Sequence, residues 1–345
     1  MGNLGQQGSG HCQGGLSHHR RVRGGGVAVG REALVGLRER GAALLLAWLI
    51  VQIAAPVLLG ADAAEPRSPL LPQPIQYGPP RELCKLANQA INESSGLACS
   101  RRTPGVFWTH NDSGDAPRVY AFDREGRDLG TYRVVGAKAR DWEDMASFRT
   151  SRGSFLVLGD IGDNSCERPD RTVYIAPEPR VHPKQRGVAG SIKVVLAISF
   201  TYEDGPHNCE AVAVDPKQNV LLLVTKEGGG TCRVCTVPMR KSGSARRIAQ
   251  TAATLKIPTV SAMDISSDGL RAIVLTYGNA YEYSRQPNED WPAAFARAPR
   301  IIKMPRRRQG ETVCYGPDGK TLYLTSEKAP SPFFEVPIVE AGPGK

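Results

Sequence analysis

No stretch of the chain interleaves Lys/Arg with aromatic residues, and that absence outweighs a formal net charge of +10. Residues 1–63 hold six basic and three acidic groups, which leaves 38 against 31 of the 44 and 34 totals spread over the remainder. Nucleic acid is therefore not expected as a partner. No G-x-S-x-G nucleophile elbow is present, which sets aside serine hydrolases built on that turn. Only Cys232 and Cys235 have C-x-x-C spacing, so a zinc knuckle lacks its second pair. They fall on an expected strand with no helix N-terminus to lower a thiol pKa, and a redox role is not expected. Gly228-Gly229-Gly230 before them lacks the strand-to-helix setting of a phosphate loop. No amphipathic helix pattern competes beyond residue 92. Methionine is scarce, at 5, against 37 Gly and 26 Pro, a balance that points to many turns and short strands. Apolar residues at 41% and charged ones at 23% exclude wholesale disorder.

Residues 1–41 are rich in Gly and Arg without apolar periodicity, and read as a disordered leader or an over-extended start. Ala42 to Leu59 follows, 18 residues broken by one amide, Gln52, and preceded by Arg38 and Arg40. Ala61-Asp62-Ala63 offers a small-x-small cleavage site, so 42–63 reads as a secretory signal. The run nearly spans a bilayer, and an uncleaved anchor is the alternative. The rest is then secreted or periplasmic, or else held outside the cytoplasm by the anchor; this segment is the one expected membrane contact. Residues 64–81 contain six prolines, which fix φ and remove donors, and read as an extended spacer. Residues 82–345 are the expected folded domain, taken as a monomer.

Within it one pattern returns five times: a polar start, a short apolar strand, a turn, a second apolar strand and a polar exit. The copies start at Glu93, Glu143, Glu210, Ser261 and Glu311, spaced by 50, 67, 51 and 50 residues. Turns such as Ser267-Asp268-Gly269 and Pro317-Asp318-Gly319 carry hairpin chemistry. Second strands such as VLLLVTKE are β-branched and apolar. With the weaker strand candidates that follow each pair, about four strands fill every fifty residues, the mark of a propeller blade. The expectation is all-β, a β-propeller of five blades of four antiparallel strands. Six blades is the alternative, if the 67-residue copy hides another, and a Greek-key sandwich is the competing architecture. Leu83 to Ile91 is placed to complete the fifth blade as its outermost strand, covering exposed edges.

Aligned copies give two acidic columns. Glu93, Glu143, Glu210 and Glu311 start the first strands, with Ser261 in the fourth copy; Asp112, Asp160, Glu227 and Glu327 leave the second, with Gly278 in the fourth. Both columns fall on one face, so eight carboxylates are expected around one mouth of the central channel. Like charges this close raise one another's pKa. Ca²⁺, which accepts six to eight oxygens, would offset them, and the eight are candidate metal ligands. Asn111, Ser113, Asp115, Asp163, Asn164, Asn208 and Asn279 add oxygen donors in the same loops. The competing reading has these carboxylates accepting backbone N–H groups and holding register. His110 and His207 flank the columns as candidate acid–base groups, or are simply exposed histidines. Arg306, Arg307 and Arg308 precede Glu311 and could clamp an anionic substrate, or form a solvated loop. Trp108 and Trp142 are expected to pack between blades. Beyond Cys12, seven cysteines read as disulfide candidates in an exported chain, one left over.

ESSGLA, FWTHNDSGD, RVYAFDREG, DWEDMA and FLVLGDIGDN together resemble the bacterial SdiA-regulated and esterase-like-phytase propellers, over roughly residues 90–180. The resemblance implies a propeller with calcium-dependent or esterase-like chemistry in some members, and points to Glu93, Asp112, Glu143 and Asp160. The fourth copy lacks both acids, which puts a specific active site in doubt. Two functions are expected: a cation-dependent hydrolase of small anionic or ester substrates, or a non-catalytic propeller that grips a protein or glycan around a structural ion.

Overall fold

Runs of β-branched and aromatic residues between turn formers make strands almost throughout residues 74–240 and 247–339, the part described by the computed structural model. The expected leader (1–41), the signal or anchor (42–63) and the spacer as far as residue 73 lie outside the described residues. Among those described, no helix is long and apolar enough to cross a membrane.

After β1 (Arg81–Lys85), a first antiparallel meander runs through β2 (Ser94–Cys99), β3 (Val106–Asn111), β4 (Arg118–Asp123) and β5 (Asp128–Val135). The next uses β6 (Trp142–Thr150), β7 (Gly153–Asp160) and β8 (Arg171–Pro177). It then departs for β9 (Val188–Lys193), parallel to β5, and returns in β10 (Leu196–Tyr202) against β8. This excursion accounts for the 67-residue copy. A third follows in β11 (Cys209–Asp215), β12 (Val220–Thr225), β13 (Cys232–Pro238) and β14 (Arg247–Leu255), and β14 meets β10 in parallel, so the second and third are one sheet. The fourth is β15 (Val260–Ile265), β16 (Arg271–Thr276), β17 (Ala280–Ser284) and, after the short helix α1 (Trp291–Phe295), β18 (Arg300–Ile302). The last joins β19 (Cys314–Tyr315), β20 (Leu322–Leu324) and β21 (Pro332–Val336) to β1. The closing strand is thus Arg81–Lys85, not the expected Leu83 to Ile91; Leu86 and Ile91 instead bury in the connection that follows.

The architecture is all-β and propeller-like. Apolar clusters lie between successive sheets: Trp108 and Val119 of the first face Leu156 and Leu158 of the second, and Val224 of the third faces Met263 and Val274 of the fourth. Phe107 and Phe122 of the first sheet pack on Tyr323 and Phe333 of the last, which closes the cycle. Because both faces are covered, β2, β3, β11, β15 and β16 are buried at every residue and lose the apolar–polar alternation of a one-sided sheet. The hairpin turns carry the expected chemistry: Gly269 and Gly319 adopt φ of 74° and 65°, and Asp268 and Asp318 accept the N–H groups that follow. Helix α1, not foreseen, is capped by Asp290, whose side chain accepts the Ala293 N–H at 3.0 Å, with Pro292 in its first turn.

The chain joins this fold before residue 82. Tyr77 bridges to Ile338, and its hydroxyl reaches Glu282 at 2.8 Å. The disulfide expectation is corrected at six positions: Cys84, Cys99, Cys209, Cys232, Cys235 and Cys314 are free thiols. All but Cys84 are buried, where they pack as small apolar groups. Trp108 and Trp142 do pack between sheets, with indole N–H groups on Glu178 and the Lys138 carbonyl.

Candidate functional site

At the start of four inner strands the pairing slips. Register shifts fall between Ser94 and Gly96, Trp142 and Met145, Cys209 and Ala211, and Val260 and Ala262. A bulge leaves a residue outside the ladder and re-aims its side chain; here the residues are Ser95, Glu210 and Ser261, and in β6 the slip spans Glu143 and Asp144, with Glu311 in the place of Glu143 before β19. One backbone hydrogen bond then recurs across the sheets: Asp112 N–H to the Glu93 carbonyl (2.9 Å), Gly162 to Asp141 (3.2 Å), Lys226 to Asn208 (2.9 Å) and Glu327 to Gln309 (3.1 Å). The equivalent positions are therefore three ranks: Glu93, Asp141, Asn208 and Gln309; then the bulge residues; then Asp112, Gly162, Lys226 and Glu327.

These ranks revise the two expected columns. Glu93 stands two residues before its bulge and is exposed, while Ser95 takes the place level with Glu143. Asp160 precedes the third rank and Glu227 follows it. Glu227 is offset by one residue from Lys226, which turns its side chain to the other side of the strand, whereas Asp160 stands two residues before Gly162 and is drawn away by its ion partner. Asp160 pairs with Arg168 at 2.9 Å, and Glu227 with Arg233 Nε at 2.9 Å and the Thr225 hydroxyl at 2.8 Å. Asp141 and Lys226 take their places at the mouth, joined by Tyr277. A polar residue two positions before each acidic bulge, as in Asp141-Trp142-Glu143, Asn208-Cys209-Glu210 and Gln309-Gly310-Glu311, is the signal that would have found Asp141.

The carboxylates converge as two triads. Asp112, Asp141 and Glu143 offer oxygens within 4.8 Å of one another, and so do Asp112, Glu311 and Glu327, so Asp112 belongs to both. Burial pushes Glu143 well above the usual carboxylate range, with Glu210, Asp112 and Asp141 adding to the shift. Asp112 rises to about 7, by burial and then by Glu311 and Asp141. Glu327 rises to about 9, by burial and then by Glu311, which shares a hydrogen bond with it. Asp141 is raised by burial as well.

The fourth sheet supplies no acid, and a cation fills that side. Lys226 Nζ lies 3.1 Å from Glu210 Oε2, 5.4 Å over the Tyr277 ring and 3.0 Å from its hydroxyl, which in turn reaches Glu311 at 3.2 Å. Asn208 donates to Glu210 at 2.9 Å, and Gln309 to Glu311 at 3.0 Å. Other expected oxygen donors are spent on their own loops: Asn111 accepts the Glu93 N–H, and Asp163 is held by Arg171.

His110 is corrected as a proton carrier. Its ring is fully buried against Trp142, Nδ1 lies 2.9 Å from the Asn111 carbonyl, and burial lowers its pKa to about 4. His207 sits between Asp204, at 2.8 Å, and Glu227, at 3.9 Å, outside both triads. Arg306, Arg307 and Arg308 line a cavity of about 350 Å³ together with Glu327. Within it Arg307 is turned inward, its guanidinium on the Pro305 and Thr276 carbonyls, and burial lowers it to about 10. Beneath the mouth, Asp144 accepts N–H groups from Val212 and Met263 of two other inner strands, both at 3.0 Å, and from Met145 at 2.8 Å.

No family model matches the chain, including any for the propellers that residues 90–180 resemble. No curated protein matches it either. Among solved structures it is similar to a gluconolactonase from Xanthomonas campestris, at 10% identity and a TM-score of 0.39 over 68% of this chain and 69% of that one. It is also similar to a candidate 6-phosphogluconolactonase from Bacteroides uniformis, at 14% identity and a TM-score of 0.37 over 73% and 69%.

Proposed function

We propose that the chain is an exported, monomeric five-bladed propeller whose acidic mouth holds a divalent cation, Ca²⁺, and hydrolyses ester or phosphoester substrates there. The observation that carries this reading is the sharing of Asp112 between two carboxylate triads, each with its oxygens within 4.8 Å. Oxygens on opposite sides of a Ca²⁺ ion, bonded at about 2.3–2.6 Å, lie about 5 Å apart, so the spacing and the all-oxygen donor set fit this ion. When bound, such an ion polarises a substrate oxygen and lowers the pKa of a water.

The chain's own groups do the rest. Asp112, Asp141 and Glu143 hold the cation. Glu327, whose carboxyl burial and Glu311 raise to about 9 in the metal-free protein, is placed to give a proton to the leaving oxygen. Lys226 Nζ and the Tyr277 hydroxyl face Glu210 and Glu311 and present donors to developing negative charge. Arg306 and Arg308, exposed beside Glu327, draw in anionic substrates.

A second reading, a non-catalytic propeller gripping a protein or glycan around a structural ion, is favoured by depth: Glu143 and Glu311 are each only 4% exposed. Calorimetric titration of EDTA-treated protein with Ca²⁺ and Mg²⁺ separates the cases, followed by a screen of p-nitrophenyl esters, p-nitrophenyl phosphate and lactones. No heat and no melting shift would remove the cation. Heat without turnover above that of Glu143→Gln would leave the binding propeller.

A further inference from the structure

At the far ends of the same inner strands the charge reverses. Arg102 in the turn after β2, Arg149 at the end of β6, Arg152 in the turn that follows and Arg180 beyond β8 line one cavity of about 400 Å³ with Gly153 and Ser154, and no acidic side chain lines it. Seven residues along β6 separate Glu143 from Thr150, roughly 23 Å at about 3.3 Å per residue, so this cavity is remote from the acidic mouth.

Several arginines elsewhere in the fold are taken up by carboxylates: Arg168 by Asp160, Arg271 by Asp268, Arg285 by Asp215, and Arg81 with Arg124 by Glu335. None of the four cavity arginines has an ion pair among the described residues. Arg102 gives one N–H to the Glu178 carbonyl at 2.9 Å. The buried acid nearby, Glu178, is turned inward and satisfied by Ser100, by the Trp108 indole at 2.9 Å and by the Arg101 N–H at 3.1 Å. It leaves the guanidinium groups uncompensated. Four like charges around one hollow repel, and nothing inside the fold is gained by gathering them. An oxyanion reverses that balance, since each planar guanidinium offers paired N–H donors matched to phosphate oxygens. The hollow is also of the size that small ligands fill, about 300–1,000 Å³. Space at Gly153 is open, with no atom within 4 Å of where a β-carbon would stand.

We propose that this cavity binds a compact oxyanion carrying several negative charges, of the diphosphate class, independently of the cation at the other mouth. Sodium diphosphate titrated into the full chain by calorimetry should give heat that weakens with added salt. Arg149→Gln/Arg152→Gln should weaken binding roughly tenfold or more, because each lost charged hydrogen bond is worth about a factor of ten. Arg180→Gln should also weaken it, and circular dichroism of each variant checks its fold. Glu143→Gln, at the acidic mouth, should bind diphosphate as the parent does. Binding unchanged in the double variant and in Arg180→Gln would overturn the assignment. So would absence of heat with diphosphate, including the case where only vesicles of anionic phospholipid are bound, which would mark a membrane-facing surface instead of a cavity.

Discussion

Gly162 stands against Glu143 so closely that a β-carbon there would lie 2.1 Å from the carboxylate Oε1 and 2.6 Å from that of Asp141. The glycine is thus the floor on which two acidic side chains rest, and it occupies the rank that Asp112, Lys226 and Glu327 fill in other sheets. Gly162→Ala should displace both carboxylates. We expect stability to fall by about 1–3 kcal/mol, the usual cost of overpacking, and cation heat to be lost. Urea unfolding and calorimetry of one preparation check both.

Acid strengths at the mouth set a pH dependence for the metal-free protein. Asp112 titrates near 7 and Glu327 near 9 in the fold, against about 4 for free carboxyl groups. A folded pKa raised above the unfolded one means that the native state holds more protons between the two, so stability falls as pH rises through that window. Melting temperature in EDTA should therefore drop steadily from pH 5 to pH 9. Saturating Ca²⁺, which binds the ionised groups, should flatten the drop, as scanning calorimetry at each pH would show.

Burial raises the Glu210 carboxyl above its usual range, and Lys226 is the counter-charge that opposes the shift. Its side chain is 23% exposed while that of Glu210 is 4% exposed, so removing the lysine strands a buried carboxylate. Lys226→Met should cost about 2–4 kcal/mol at pH 8 and less at pH 5, where the stranded acid can protonate. Adding Glu210→Gln should restore most of the loss. Denaturant melts of the two single variants and the double variant close the cycle.

Asp144 ties three inner strands to one carboxylate. Asp144→Ala would leave the buried N–H groups of Val212, Met263 and Met145 without acceptors, at about 1–3 kcal/mol each. That sum is of the order of a domain's whole stability, so this variant should fail to accumulate as soluble protein. Asp144→Asn keeps one carbonyl oxygen and should fold with a lowered melting temperature, measured by circular dichroism.

Much of this fold is written in local pattern. Turn residues such as Asp268-Gly269 and the fifty-residue spacing reveal the strand pairs, because hairpin chemistry is local. The mouth is less legible because a bulge changes phase without changing composition. Glu93 and Glu143 look equivalent when the glutamates of the two copies are aligned, yet the bulges set Ser95, two positions beyond Glu93, level with Glu143. The same slip hides Asp141 and Lys226, and lends Asp160 and Glu227 a place that their partners Arg168 and Arg233 deny them. His110 reads as a catalytic candidate from its neighbours in sequence, but the sheet that covers it is built from Trp142, thirty-two residues away.

The pairing of β1 with β21 bears on how the chain is made. Arg81 and Glu335, 254 positions apart, lie opposite each other in the closing pair. β1 must wait for β21 to emerge before it finds a partner, and closures this distant in sequence are slow. Until then an unpaired edge is open to proteases and to neighbouring chains. A nascent chain broken off before Pro332 never hides that edge. Protection of β1 therefore depends on β21, and protease resistance should arise only once that strand has been synthesised.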